Sequence, residues 1–197
     1  MEPSKRFLPK EKSPSRLIAI ILFSVAILVD LARFGYEVKD GAMLYYDIAV
    51  FALDLIFGIA LLWGLIRRNF ALIDLMLVIL KVYDGTFFIL KSLARIDAGH
   101  INLLDQISNY FLLGAGILSL ITLLFFCFHY YYEKNRFWNW IMITVILTGF
   151  LLLVSSVLSI INHVANGIDW PDIIEASFMC VETFAVYFVC RYVRNYE

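Results

Sequence analysis

Six apolar runs separated by short polar stretches dominate this chain of 197 residues. Each run approaches the ~20 helical residues that cross a hydrocarbon core of about 30 Å. The pattern predicts an all-α, polytopic membrane protein, a bundle of six transmembrane helices over the spans Arg16 to Phe34, Leu44 to Ile66, Phe70 to Ala94, Tyr110 to Tyr130, Trp138 to Ile161 and Pro171 to Val193. A mean hydropathy of +0.82 agrees, because it is far above that of a soluble domain.

The first span is the weakest, because Asp30 interrupts its apolar run. A short apolar run after a basic start also fits a signal peptide. Leu31, Ala32 and Phe34 extend the apolar surface beyond Asp30 and favour a membrane span. We predict that residues 1–15 form a flexible, basic cytoplasmic tail. Residues 16–197 are predicted to form a single six-helix transmembrane domain.

The third span carries a stripe of charge formed by Asp74, Lys81, Asp84 and Lys91. At 100° per residue these four side chains fall within roughly a 100° arc of one helix. Ionisable groups at membrane depth are costly, so they mark a pathway, a binding site or an internal ion pair. We expect Lys91, near the end of the helix, to extend its ammonium towards the membrane interface.

Asp54, Lys81 and Glu182 each lie ten or eleven residues inside their predicted spans, which is ~15 Å at the helical rise per residue. All three therefore fall near the bilayer midplane, with Asp84 one turn from Lys81. The sequence predicts that Asp54, Lys81, Asp84 and Glu182 form a buried cluster that binds a coupling ion or a substrate. The alternative is a structural i,i+3 ion pair of Lys81 with Asp84.

Ionisable residues also recur at a spacing of seven, as in Asp47 with Asp54 and Glu175 with Glu182. Seven residues are two helical turns, so the members of each pair share a face. We expect Asp47 and Glu175 to be secondary residues of a pathway towards the midplane. For Glu175 the alternative is a carboxylate that complements the dipole at the start of its helix.

Basic residues are distributed unequally between the two predicted sides of the membrane. One side, which includes the N-terminus, holds eleven of them: Lys5, Arg6, Lys10, Lys12, Arg16, Arg67, Arg68, Lys134, Arg136, Arg191 and Arg194. The other holds four: Arg33, Lys39, Lys91 and Arg95. Because basic loops stay in the cytoplasm, we expect both termini to be cytoplasmic, most simply in a bacterial cytoplasmic membrane.

The residue spacings of several kinds of membrane enzyme are missing from the sequence. His100, His129 and His163 fall at span edges, so no midplane pair is available for haem and no cluster for zinc. The three cysteines form no CxxC motif, which argues against a disulfide oxidoreductase. We therefore predict no enzymatic activity, no cofactor and no metal. A net charge of −1 predicts no nucleic-acid partner.

The buried charges favour an ion-coupled transporter or permease of a small solute, with the lipid bilayer and a small ion or polar solute as partners. In helix number and loop length the chain resembles the substrate-binding subunits of energy-coupling factor vitamin importers. That resemblance implies an alternative, a subunit that works only with a partner complex. The other form of this alternative is a non-catalytic accessory or immunity protein. Among partners, a second subunit or further copies of the same chain stay open.

Overall fold

The computed structural model describes residues 14–40, 45–97, 102–132, 136–166 and 170–195, and not the side chains of 40, 45–47, 165, 166, 170–172 and 176. Of the described residues, 97% are helical, which confirms the all-α class. The six helices are α1 (Pro14–Asp40), α2 (Tyr45–Arg67), α3 (Phe70–Asp97), α4 (Leu103–Tyr132), α5 (Arg136–Asn166) and α6 (Trp170–Arg194). Residues 1–13, most of the predicted tail, lie outside the described part.

Five of these helices are long and apolar enough to cross a membrane. The helix that is not among them is α3, although its 28 residues would extend about 42 Å. Its charged stripe is the cause, because any long window of α3 contains several ionisable residues. The chain is thus an integral membrane protein by helix length and composition.

Several helices extend beyond the spans predicted from apolar residues alone. α1 continues from Phe34 to Asp40, and α4 begins at Leu103 instead of Tyr110. The added turns are polar, and their side chains find partners inside the protein: Glu37 lies 3.8 Å from the Arg33 guanidinium, and Ser108 hydrogen-bonds to Ser155. Internal partners allow a polar turn to stay helical inside the bundle.

The helices form a ring, because each packs against the next along the chain and α1 packs against α6. The most extensive interface joins α4 to α5, whereas α2 packs lightly on its two neighbours. One end of the ring, here called the terminal end, contains the starts of α1, α3 and α5 and the ends of α2, α4 and α6. The other is called the opposite end.

The terminal end encloses an apolar core to which all six helices contribute. Its buried members include Phe23, Leu65, Leu77, Phe126 and Trp138 together with Val186. Phe126 and Trp138 meet edge to face, with ring centroids 5.9 Å apart. This packing closes the ring at the terminal end.

The connection between α2 and α3 at the terminal end is only two residues long. Arg68 has the left-handed φ of 55°, and the Asn69 amide donates to the Gly64 carbonyl at 2.9 Å, as in a Schellman helix end. The Arg16 guanidinium donates to the next two carbonyls of α2, those of Leu65 at 2.8 Å and Ile66 at 3.0 Å. The carbonyls of Gly64, Leu65 and Ile66 at the end of α2 are therefore all hydrogen-bonded.

α3 and α4 approach closely where Gly85 faces Gly116. A Cβ on Gly85 would lie 2.6 Å from a methyl of Leu120 and 3.2 Å from the Gly116 carbonyl. A Cβ on Gly116 would lie 3.0 Å from the Gly85 carbonyl. The backbones can therefore touch only because neither residue has a side chain.

Candidate functional site

Arg33 lies in the interior of the ring, although the sequence places it at the external membrane edge. Its side chain is 9% exposed, and its guanidinium lies 3.0 Å from Asp30 and 3.8 Å from Glu37 on the same helix. Arg33 is therefore buried among carboxylates inside the ring and is not part of an exposed connecting segment. Its helix continues beyond Phe34 and turns the guanidinium inward to these carboxylates.

The same guanidinium reaches two other helices. It lies 3.9 Å from Asp54 on α2 and 3.9 Å from Glu175 on α6. Both carboxylates are largely buried, with 8% and 13% of their side chains exposed. One cation thus connects α1, α2 and α6 through acidic partners.

Glu175 also accepts a hydrogen bond from the ammonium of Lys91 on α3. The expectation that Lys91 reaches out to the interface is wrong, because its charge is compensated inside the protein. We call the six side chains joined in this way the Arg33 group: Asp30, Arg33, Glu37, Asp54, Lys91 and Glu175. Four helices contribute to it.

Lys81 and Asp84 form the i,i+3 ion pair that their spacing predicts. The ammonium donates to the Asp84 carboxylate at 2.6 Å, and only 2% of the Lys81 side chain is exposed. Gly85, next to Asp84, is the residue that allows α3 to touch α4. Close helix packing and an immediate counter-ion together explain how a lysine is buried here.

Glu182 on α6 faces this pair from the other side of the interior. It is partly buried and lies within electrostatic range of Lys81, Asp84 and Asp54. We call Lys81, Asp84 and Glu182 the Lys81 group. Asp54, a member of the Arg33 group, lies within electrostatic range of Asp84 and Glu182, with the Tyr83 hydroxyl close by.

The structure thus places Asp54, Lys81, Asp84 and Glu182 in one region of the interior. It also places Glu175 in the neighbouring Arg33 group. The side chain of Asp47, the other secondary residue, lies outside the described part. Asp74, the remaining member of the stripe, lies nearer the terminal end within electrostatic range of Cys190.

A cavity of about 380 Å³ opens beside the Arg33 group. Its polar wall consists of Arg33, Glu37, Lys91 and Glu175, and its apolar wall is mainly Val50, Phe87 and Leu90. The Lys91 ammonium lies 5.5 Å from the centre of the Phe87 ring. The Lys81 group does not line this cavity.

A second, smaller crevice of about 30 Å³ lies on the other side of the Lys91 and Glu175 pair. It has room for one or two water molecules and is lined by a set of hydroxyls: Ser108, Ser155, Ser156 and Ser159. Lys91 and Glu175 line both spaces, so their ion pair forms the wall between them.

Sequence reasoning missed Asp30, Arg33, Glu37 and Lys91 as site residues. The available signal is the spacing of Asp30, Arg33 and Glu37, which puts a cation i,i+3 and i,i+4 from two carboxylates. The contacts of Arg33 with α2 and α6 have no such local signal.

No group of three or more histidine, cysteine, aspartate or glutamate side chains is placed to hold a metal ion in the part of the chain that the structure describes. No protein-family model, curated protein or solved structure matches the chain.

Proposed function

We propose that the protein is an ion-coupled transporter or permease of a small solute. The observation that carries this proposal is the inverted distribution of polarity at the opposite end of the ring. Charged side chains fill the interior and border an open cavity, whereas apolar side chains such as Leu28, Ile56 and Phe150 face outward. Intramembrane charges that face the interior of a bundle are typical of substrate and ion pathways.

We propose α3 as a sixth membrane span. Its charged residues Lys81 and Asp84 are buried, while Leu75 and Leu93 are about half exposed on its outer face. A helix placed in this way meets lipid with leucine and meets the ring interior with charge. Its charges therefore do not prevent it from crossing a bilayer.

We propose that the terminal end faces the cytoplasm, and that the membrane is the bacterial cytoplasmic membrane. The unequal distribution of basic residues supports this orientation. Arg33 and Lys91, two of the four basic residues assigned to the other side, are ion-paired in the interior. That side is thereby left with Lys39 and Arg95.

The coupling ion would bind where carboxylates outnumber cations. The two groups together contain six carboxylates, Asp30, Glu37, Asp54, Asp84, Glu175 and Glu182, against the three cations Arg33, Lys81 and Lys91. Ionised carboxylates without compensation are expensive in a low-dielectric interior, so such a site favours taking up a proton or a small cation. The ion would bind the carboxylates of Asp54, Asp84 and Glu182 in competition with Lys81, with Asp47 and Glu175 on its path.

The test is proton and sodium flux into liposomes containing the purified protein under a potassium diffusion potential. The variants Lys81→Met and Glu182→Gln are compared with Lys39→Met, which removes an exposed lysine. We expect flux in the intact protein and the control, and loss of flux per folded molecule in both site variants.

Flux that persists in both folded site variants would contradict the assigned coupling residues. If each single variant fails to fold and the double variant folds again, the charges are structural partners. The absence of flux for the intact protein would overturn the transport proposal. It would favour a non-transporting accessory, immunity or substrate-binding subunit.

A further inference from the structure

We propose that the cavity beside the Arg33 group binds a small zwitterion that carries an apolar substituent. Arg33 and Lys91 would take its anionic group, Glu37 would take its ammonium group, and the apolar wall would hold the rest. This inference rests on the proposed transport function and names the class of solute. With about 380 Å³ the cavity lies in the size range of sites for small molecules.

Arg33 has unused capacity for an anion. Its Nε is buried and has no hydrogen-bond partner among the described residues. Its contacts with Glu37, Asp54 and Glu175, at 3.8 to 3.9 Å, are longer than hydrogen bonds. A carboxylate or phosphate entering from the cavity could accept two parallel hydrogen bonds from this planar guanidinium.

Glu37 is the most accessible charged residue of the cavity wall. Its side chain is 23% exposed, compared with 9% for Arg33 and 13% for Glu175. It lies one turn along α1 from Arg33, so a ligand bound to the guanidinium has a carboxylate next to it. An ammonium group adjacent to the anionic group of the ligand would occupy this position.

The presence of both signs in one cavity selects against ligands with a single charge. A simple anion would face Glu37 and Glu175, and a simple cation would face Arg33 and Lys91. A zwitterion satisfies both sets, since each of its charges meets an opposite charge. Val50, Phe87 and Leu90 provide apolar contact for a side chain of moderate size.

Two sources supply this chemistry: a free α-amino acid with an apolar side chain, and the headgroup of an ethanolamine phospholipid. The experiment uses the full chain in nanodiscs of phosphatidylglycerol, so that no lipid zwitterion competes. Binding is measured calorimetrically for L-leucine, for 4-methylpentanoate and isopentylamine, which each lack one charge, and for glycerophosphoethanolamine. We expect a zwitterion to bind at least about 10-fold more tightly than either singly charged analogue.

Two variants test which residue binds each charged group of the ligand. Arg33→Gln is expected to abolish binding, while Arg194→Gln, at an exposed arginine of α6, leaves it unchanged. Glu37→Gln is expected to weaken zwitterion binding about 10-fold and to leave the affinity for 4-methylpentanoate unchanged or higher, because it removes only the acceptor for the ammonium. Glu37→Gln keeps the assignment testable if Arg33→Gln does not fold.

Each outcome decides between these assignments. Leucine binding supports a free amino acid, and binding of glycerophosphoethanolamine alone supports a lipid headgroup. Equal binding of a singly charged analogue, or no binding of either zwitterion, overturns the proposed site. Ion flux without zwitterion binding overturns the site but not the transport function, whereas zwitterion binding without flux overturns the transport function alone.

Discussion

The interior of the ring is filled by apolar side chains at the terminal end and by charged side chains at the opposite end. At the terminal end all six helices meet through apolar side chains, with Phe126 and Trp138 almost inaccessible. At the opposite end the interior holds the Arg33 group, the serine-lined crevice and an open cavity. A smaller apolar cluster that includes Phe88, Leu112 and Leu152 lies on the α3 to α6 side of this polar interior.

The two kinds of packing differ in how easily their side chains can rearrange. Dense apolar packing has few low-energy alternatives, because a displaced side chain leaves a void. A set of charges held by contacts of 3.8 to 3.9 Å around one guanidinium can exchange partners at lower cost. The terminal end is therefore suited to hold the bundle together, and the opposite end is suited to bind and release.

The largest expected effect is that of Lys81→Met, which tests whether stability at the charged end depends on pairing. Removing the ammonium leaves the Asp84 carboxylate buried without its counter-ion and should cost about 3–5 kcal/mol of unfolding free energy. The measurement is unfolding by sodium dodecyl sulfate followed by circular dichroism. The double variant Lys81→Met/Asp84→Leu should recover most of the loss, and a double variant as unstable as the single one would contradict this account.

Trp138→Ala tests the apolar end. We expect a loss of about 3 kcal/mol, because the indole fills space against Phe126 and His129 that the chain cannot refill. Trp140→Ala is the control, since that ring is 53% exposed. Ion flux per folded molecule should not change in either variant. A loss of flux per folded molecule in Trp138→Ala alone would show that the terminal end also takes part in transport.

Gly85→Ala sharpens the comparison at the point where α3 carries the Lys81 group. The added methyl meets Leu120 and the Gly116 carbonyl, so α3 and α4 must separate, at a cost of about 2 kcal/mol. Gly35→Ala is the matched control, because nothing lies within 4 Å of the new methyl. The same unfolding assay measures both. A neutral Gly85→Ala would mean that the helix contact does not constrain the charges.

The smallest expected effect is that of Ser155→Ala, which removes one hydroxyl of the serine-lined crevice. Ser155 and Ser108 exchange three hydrogen bonds of 2.9 to 3.0 Å between α4 and α5. The substitution removes the two that involve the Ser155 hydroxyl, which should cost about 1 kcal/mol. Ser177→Ala, which loses only a bond to its own helix, should be nearly neutral. Equal stability of the two variants in the unfolding assay would show that the crevice adds nothing to the α4–α5 interface.

The helices and the local ion pair could be predicted from the sequence because both depend on short-range spacing. Hydrophobic run length identifies the six helices, and i,i+3 spacing places Lys81 next to Asp84. Each of these features depends on residues within a single helix.

The contacts of Arg33 with Asp54 and Glu175 could not be predicted in this way. They join three helices whose relative rotation is decided by the packing of the whole ring. The pairing of Lys91 could not be predicted either, because its partner Glu175 lies 84 residues away on another helix. The sequence therefore placed the Lys91 ammonium at the membrane interface. The cavity is also a tertiary feature, since it lies where the lightly packed α2 borders α1 and α3.

The two-residue turn at Arg68 and Asn69 gives α2 a pivot. Arg16 and the Schellman bond hold the terminal end of α2, and the Asn69 side chain accepts from the first turn of α3. α2 packs lightly on its neighbours and is about 34 Å long. A tilt of about 5° at the pivot would therefore carry its far end through about 3 Å by lever action. That displacement would move Val50 and Asp54 away from Arg33, widening the cavity without disturbing the apolar core.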